Sequence, residues 1–169
     1  MKIFLIGYMG CGKSSLGRRL AKRAGMRFVH MDSEIEQREG ASISDIFRFE
    51  GEDYFRRKER ELIESLAGEG DDMVISTGGG APAWGDNMSR MNDVGMTVYL
   101  RRTPQQIASR LSPHGRQKRP KLRGLNDEEL VAFMTVNMAE REPFYSQARL
   151  RRQKRRRADR VYSLKVPRR

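Results

Sequence analysis

Residues 7–14, Gly-Tyr-Met-Gly-Cys-Gly-Lys-Ser, constrain this chain most strongly, because they match the pattern G-x-x-x-x-G-K-[ST] without a mismatch. The apolar run of residues 3–6 precedes them and is typical of a buried parallel strand. Leu16 and Leu20 follow at helical spacing. Strand, glycine loop and helix N-terminus together form a phosphate cradle, since backbone N–H groups turn inward around the phosphate oxygens. The chain is therefore predicted to bind a nucleotide triphosphate.

The loop also supplies two side chains for this chemistry. Lys13 is predicted to reach the β- and γ-phosphates, and Ser14 to ligate Mg²⁺. An ordinary glycine-rich turn is the alternative, and the agreement of motif and context disfavours it. The predicted nucleotide-binding residues of the loop are Gly10, Cys11, Gly12, Lys13, Ser14 and Ser15.

Composition places the chain among small cytoplasmic proteins of one domain. It has 169 residues, enough for one domain with a core. Its one cysteine, Cys11, excludes a disulfide within the chain and fits a reducing compartment. No apolar run approaches the length of a membrane span, and the first six residues already serve as a strand, so we expect no signal peptide.

The net charge of +12 is concentrated at the end of the chain. Residues 149–169 contain eleven Lys or Arg and a single acid, Asp159, and so carry +10 of that charge. We therefore divide the chain into a nearly neutral domain over residues 1–148 and a basic tail over residues 149–169. A basic run is most often a solvated segment, and nucleic-acid binding by the tail is the less favoured alternative.

Alternating strands and helices predict a parallel sheet covered by helices on both sides. Strands are expected at residues 28–29, 73–76 and 96–100, and helices with N-caps at Ser42, Thr103 and Asn126. Residues 112–124 are polar and basic with Gly and Pro near both ends, a composition that suits a mobile lid. The tail offers one weak strand candidate, residues 161–166, and no apolar stripe at helical spacing.

Unusual residues follow the predicted strands, where sheets of this kind bind their ligands. Asp32 could orient or deprotonate an acceptor hydroxyl, or simply cap the next helix. Three consecutive glycines, Gly78 to Gly80, suggest close approach of the backbone to a ligand, with a flexible hinge as the alternative. Arg56 could pair with an anionic substrate or remain a solvated helix arginine.

Taken together, several stretches resemble the shikimate kinase family, and the resemblance covers about residues 2–148. They are GYMGCGKSSLGRRLA, FVHMDSEIE, ISDIFRFEGEDYFRRKE, VISTGGGAP, RPKL and EREPFY. Only the first is widely shared among nucleotide-binding proteins, whereas the order and spacing of the others are specific. The resemblance implies a three-layer α/β P-loop kinase fold, with a parallel sheet of about five strands flanked by helices and a mobile lid.

The resemblance also implies an activity, the transfer of the γ-phosphoryl group of ATP to the 3-hydroxyl of shikimate with Mg²⁺, in aromatic amino acid biosynthesis. Asp32 would hold the substrate hydroxyls and accept the proton. Lys13 and Arg119, an arginine of the lid, would neutralise the phosphates, and Arg110 would flank the adenine. The other implied substrate-binding residues are Arg56 and Arg141, which clamp the shikimate carboxylate, Gly78, Gly79 and Gly80, which offer backbone contacts, and Phe47 and Phe55, which line the ring pocket.

The chain departs from the family pattern at three places. His30 stands where the family usually has an aspartate credited with holding Mg²⁺ through water, and Lys121 stands where a leucine is common. After Ala148 the sequence changes abruptly, which an altered reading frame would also produce.

Two alternatives to this activity remain at this point. One is a related small-molecule kinase, such as a gluconate-type enzyme, with the same loop and a different acceptor. A kinase whose acceptor lacks a carboxylate would not need both Arg56 and Arg141. The other is a nucleotide-binding protein whose basic tail holds nucleic acid. We expect a monomer that binds ATP and shikimate and has no contact with a membrane.

Overall fold

Five parallel strands organise the chain in the computed structural model, which describes residues 1–117 and 122–153. The strands are β1 (Lys2–Ile6), β2 (Arg27–His30), β3 (Met73–Ser76), β4 (Met96–Arg101) and β5 (Leu150–Gln153). Their order across the sheet is β2-β3-β1-β4-β5, and every neighbouring pair is parallel. All carboxyl ends therefore lie at one edge of the sheet, as the sequence predicted.

Helices cover both faces of this sheet. They are α1 (Lys13–Ala24), α2 (Met31–Glu39), α3 (Ile43–Phe49), α4 (Glu52–Gly68), α5 (Asn87–Val94), α6 (Pro104–Ala108), α7 (Pro113–Gln117) and α8 (Asp127–Tyr145). Leu5 and Val74 pack with Ala21 of α1 on one face. Phe4 and Ile6 alternate to the other face and join the larger core, to which α4, α5 and α8 contribute. The predicted three-layer α/β fold is confirmed.

Side-chain caps begin the helices at the predicted residues. The Ser42 hydroxyl accepts a hydrogen bond from the Asp45 backbone N–H at 3.1 Å and starts α3. Thr103 and Asn126 each form a reciprocal capping box, with Gln106 and Glu129 respectively. These bonds satisfy backbone donors that a helix start leaves without an intrahelical acceptor. The three predicted N-caps are confirmed.

Two short helices were not predicted from sequence. α5 has only eight residues, and α7 lies within the predicted lid. Also in the lid, Leu122 is fully buried in the main core, and an ion pair of 2.6 Å joins Arg116 to Asp127 at the start of α8. Short helices of this kind depend on tertiary packing, which periodicity alone does not reveal.

The fifth strand extends the sheet beyond the predicted boundary at Ala148. β5 pairs with β4 from Val98 opposite Leu150 to Arg101 opposite Gln153. Leu150, Arg151 and Arg152 are exposed, so backbone pairing holds this edge strand rather than apolar burial, and no hydrophobic pattern marks it. The strand candidate at residues 161–166 lies outside the described residues, as does the tail from residue 154 onward.

A chain ending at Ala148 is expected to be less stable than a chain ending at Gln153, because it loses the β4–β5 ladder. Four residue pairs form this ladder. At a net value near 1 kcal/mol for each hydrogen bond, the loss amounts to about 2 to 4 kcal/mol, or about 5 to 10 °C in Tm. Thermal unfolding of both chains measures the difference, and equal Tm values would contradict a structural role for β5.

Candidate active site

The loop between β1 and α1 has the geometry of a phosphate cradle. Gly10 and Gly12 have φ angles of +75° and +101°, which residues with a side chain rarely adopt. The Lys13 ammonium is buried and donates hydrogen bonds to the carbonyls of Gly7 at 2.7 Å and Tyr8 at 3.0 Å. Lys13 is thus held across the loop by two of the loop's own carbonyl groups. Ser15 is exposed on the first turn of α1.

The side chain of Ser14 contacts the last residue of β3. Its hydroxyl lies 3.2 Å from the hydroxyl of Ser76, a buried residue that sequence reasoning did not select. Next to it, Thr77 donates to the Leu5 carbonyl from both its backbone nitrogen and its hydroxyl. These contacts join the phosphate loop to the segment that carries the three glycines.

The Ser14 hydroxyl suits an Mg²⁺ ion that takes most of its ligands from the nucleotide phosphates. Within residues 1–117 and 122–153, no group of three or more His, Cys, Asp or Glu side chains is arranged to hold a metal ion. A hydroxyl such as that of Ser14 is the kind of ligand that Mg²⁺ accepts when substrate phosphates and water complete its coordination. The donor set therefore fits a metal that arrives with the nucleotide.

Space, rather than backbone flexibility, explains the three glycines. A Cβ atom on Gly78 would overlap Oε1 of Glu59 and lie 3.3 Å from Oδ1 of Asp32. A Cβ atom on Gly79 would lie 3.2 Å from the backbone nitrogen of Met9 and 3.6 Å from Nη1 of Arg141, and one on Gly80 would overlap the Arg56 guanidinium. The glycines thus allow the predicted substrate residues to converge beside the phosphate loop.

Arg56 is a buried ion-pair member and not a solvated helix arginine. Its side chain is only 11% exposed, and its guanidinium donates to Glu59 at 2.6 Å and to Glu52 at 2.8 Å. Glu59 is completely buried, and its Oε1 atom has no hydrogen-bond partner among the described residues. One carboxylate oxygen thus positions Arg56, while the other faces Gly78.

Sequence reasoning missed Glu59, although the sequence carries a signal for it. Glu59 falls on the buried stripe of α4, four residues after Phe55 and three before Leu62. An acid on an apolar stripe is unusual, because a buried charge requires a partner. Burial raises the pKa of Glu59 to about 7, with Arg56 opposing the shift and Asp32 adding to it.

His30, not Asp32, is the N-cap of α2. The Nδ1 atom of His30 accepts a hydrogen bond from the Ser33 backbone N–H at 3.3 Å and lies 3.1 Å from the Ser33 hydroxyl. Asp32 therefore lies within the first turn of the helix, half-buried, with its carboxylate facing Gly78. The interpretation of Asp32 as a helix cap is wrong, and its side chain is free of that role.

Aromatic rings lie beside both arginines that are predicted to bind the acceptor carboxylate. The rings of Phe47 and Phe55 lie 4.9 Å apart at an angle of 42°, with the Arg56 guanidinium 5.5 Å from the Phe55 ring centre. The Arg141 guanidinium lies 5.2 Å from the ring centre of Tyr8. Tyr8 is a further neighbour of the site that the sequence did not single out.

Arginines also border the outer side of the phosphate loop. A Cβ atom on Gly12 would lie 3.6 Å from the Arg110 guanidinium, so Arg110 is beside the loop. Arg102, which was not predicted, donates to the Cys11 carbonyl at 2.8 Å, and burial together with Arg110 lowers its pKa. Arg119 and Lys121 lie outside the described residues.

The buried carboxyl group predicts that stability depends on pH in a particular direction. Unfolded Glu59 ionises near pH 4.5, whereas folded Glu59 keeps its proton until about pH 7. Between these values the folded chain binds more protons, so the free energy of unfolding falls as the pH rises. Relative to Glu59→Gln, the parent chain is expected to lose about 3 kcal/mol over this range.

Denaturant unfolding of both chains at several pH values measures this loss. Glu61→Gln is the matched control, because Glu61 is a 63% exposed carboxylate on the same helix and pairs with Lys58. Parallel stability curves for the parent chain and Glu59→Gln would contradict the assigned burial effect.

Known proteins of similar sequence and structure were compared with this chain. A family model described as Shikimate kinase matches residues 9–165. The shikimate kinase of Parabacteroides distasonis is 45% identical over 147 residues, which are 87% of this chain and 84% of that protein. The shikimate kinase of Bacteroides fragilis is 44% identical over 148 residues, 88% of this chain and 82% of that protein.

Solved structures give the same result. A crystal structure of shikimate kinase from Bacteroides thetaiotaomicron has a TM-score of 0.85 and 40% identity, covering 90% of this chain and 86% of that one. Shikimate kinase from Acinetobacter baumannii in complex with shikimate has a TM-score of 0.79 and 32% identity, covering 93% and 85% of the two chains. The chain belongs to the shikimate kinase family.

Proposed function

We propose that this chain transfers the γ-phosphoryl group of ATP to the 3-hydroxyl of shikimate, giving shikimate 3-phosphate and ADP. The convergence of Arg56, Arg141 and Asp32 on Gly78–Gly80, beside the phosphate loop, is the observation that carries the proposal. The relatives reported above favour this acceptor over a gluconate-type acceptor, and they do not favour a nucleic-acid-binding function.

Two guanidinium groups suit the carboxylate of the acceptor. Arg56 is oriented by Glu59 and Glu52, and Arg141 stacks on Tyr8, so both lie in defined positions before substrate binds. Guanidinium groups bind carboxylates through two parallel hydrogen bonds. This geometry fixes the orientation of the acceptor and also strengthens its binding. Phe47 and Phe55 supply the apolar surface for the ring, and the backbone of Gly78–Gly80 supplies further contacts.

Asp32 acts at the opposite end of the acceptor in this proposal. Its carboxylate is not consumed by capping α2, because His30 performs that task. Asp32 accepts a hydrogen bond from the attacking hydroxyl and takes its proton as the oxygen attacks the γ-phosphorus. The bond from that phosphorus to the β,γ-bridging oxygen breaks, and ADP leaves.

The phosphate loop holds and neutralises the nucleotide. Gly10, Cys11, Gly12 and Ser15 contribute from the loop and the first turn of α1, and Lys13 compensates the charge of the β- and γ-phosphates. Ser14 would hold Mg²⁺, which would supply positive charge to offset that of the nucleotide phosphates. We propose that Arg110 flanks the adenine, and that Arg119, which lies outside the described residues, binds the phosphates.

The proposal extends to the setting of the enzyme. None of the helices in the described part of the chain is long and apolar enough to cross a membrane. We propose a cytoplasmic monomer whose partners are ATP and shikimate. The single cysteine, Cys11, is buried in the phosphate loop, which suits a reducing compartment.

The acceptor is tested by ADP release from Mg-ATP in the presence of shikimate, quinate, gluconate or no acceptor. We expect release above the background only with shikimate. Quinate and gluconate also carry a carboxylate that Arg56 and Arg141 could bind, so the discrimination is expected to come from the ring pocket of Phe47 and Phe55 and from the placement of a hydroxyl at Asp32. ADP release with gluconate but not with shikimate would contradict the proposed acceptor.

Asp32→Asn is expected to lower kcat with shikimate by about 100-fold or more, because the amide cannot accept the proton. Nucleotide affinity, measured by calorimetry, should change little, since Asp32 faces Gly78 and not the loop of Lys13. Glu34→Gln is the matched control on the same helix, because Glu34 forms an ion pair with Arg38 at 3.1 Å and is not among the residues that face the glycines. A kcat near that of the parent chain would remove Asp32 from the reaction.

A further inference from the structure

We propose that Tyr145 is a positioning residue for the acceptor site, because its hydroxyl holds the carbonyl of Gly79 and stands beside Arg141. The inference rests on the proposed roles of Gly79 and Arg141 in shikimate binding. Tyr145 itself does not contact the substrate in this proposal. It determines the positions of the Gly79 carbonyl and the Arg141 guanidinium.

Tyr145 is a core residue whose hydroxyl contacts the glycine segment. Its side chain is completely buried at the end of α8, and its hydroxyl donates a hydrogen bond to the Gly79 carbonyl across 66 residues of sequence. Arg141 lies four residues earlier on the same helix, so the two side chains occupy one helix face. The Nη1 atom of Arg141 lies 3.6 Å from the position that a Cβ atom on Gly79 would take, so the Arg141 guanidinium and the Tyr145 hydroxyl both stand at Gly79. Burial raises the pKa of Tyr145, and Arg141 opposes the shift.

The orientation of the Gly79 carbonyl determines the orientation of the Gly80 N–H group, which the proposed substrate site offers as a hydrogen-bond donor. This carbonyl and the N–H group of Gly80 belong to one planar peptide unit and point in opposite directions. A hydrogen bond that fixes the carbonyl therefore fixes the direction of the Gly80 N–H. Glycine has no side chain to restrict its backbone, so an external contact is needed to hold this peptide in one orientation.

Tyr99 provides a matched comparison within the same core. Its ring packs 5.2 Å from that of Tyr145 and is equally buried, at 1% exposure. The Tyr99 hydroxyl, however, donates to Glu142 at 2.7 Å, and within the described residues it makes no hydrogen bond to the glycines or to Arg141. Removal of either hydroxyl costs one hydrogen bond of a buried tyrosine. Only removal of the Tyr145 hydroxyl affects a residue of the proposed acceptor site, Gly79.

The experiment compares Tyr145→Phe, Tyr99→Phe and Arg141→Ala with the parent chain by steady-state kinetics and thermal unfolding. For Tyr145→Phe we expect the KM for shikimate to rise about five- to tenfold, as the loss of one hydrogen bond to an ordering contact predicts. The KM for ATP and kcat should stay within about twofold of the parent values. For Tyr99→Phe, the KM for shikimate should also stay within about twofold, even if Tm falls.

Each outcome supports or overturns the inference. An equal rise in the KM for shikimate in both tyrosine variants would show a general packing effect and overturn the specific role. If Arg141→Ala raises this KM and Tyr145→Phe does not, the inference fails and the proposed substrate site stands. If Arg141→Ala leaves the KM unchanged, the substrate-site assignment fails and the inference fails with it.

Discussion

Space at the end of β3 is the constraint on which the rest of this site depends. Gly78, Gly79 and Gly80 present no side chains, and the positions that their Cβ atoms would take are filled by a carboxylate, a loop backbone and a guanidinium. Any larger residue there would displace Glu59, the loop backbone at Met9 or Arg56. This short segment thus determines how closely Glu59, Arg56 and the phosphate loop can approach one another.

Burial of charge is the second physical theme, and it explains why the site is formed before substrate arrives. Arg56 is almost fully enclosed, and Glu59 is its buried partner on α4. Isolated buried charges are costly, so each requires the other in a fixed geometry. The same arrangement leaves one Glu59 oxygen without a partner among the described residues, next to Asp32 and Gly78. Such a group has a strongly shifted pKa because it is desolvated, a property common at functional sites.

Local signals in the sequence were sufficient for much of the fold. The caps at Ser42, Thr103 and Asn126, and the strand at residues 73–76, were predictable because they depend on neighbouring residues only. β5 was not, because it is an exposed strand with two arginines, and its stability comes from pairing with β4. Tyr145 and Ser76 were missed for the same reason: their partners, Gly79 and Ser14, are distant in sequence.

The sequence by itself determined the phosphate loop, the alternation of strands and helices that gives a parallel sheet, and membership of a kinase family, since these follow from short motifs and their spacing. Tertiary structure decided which of two roles each isolated residue has. It gave the cap of α2 to His30 and so left Asp32 free, and it buried Arg56 instead of leaving it in solvent. The physical reason is that helix capping is satisfied locally, whereas burial, ion pairing and pKa depend on elements that meet only in the folded chain.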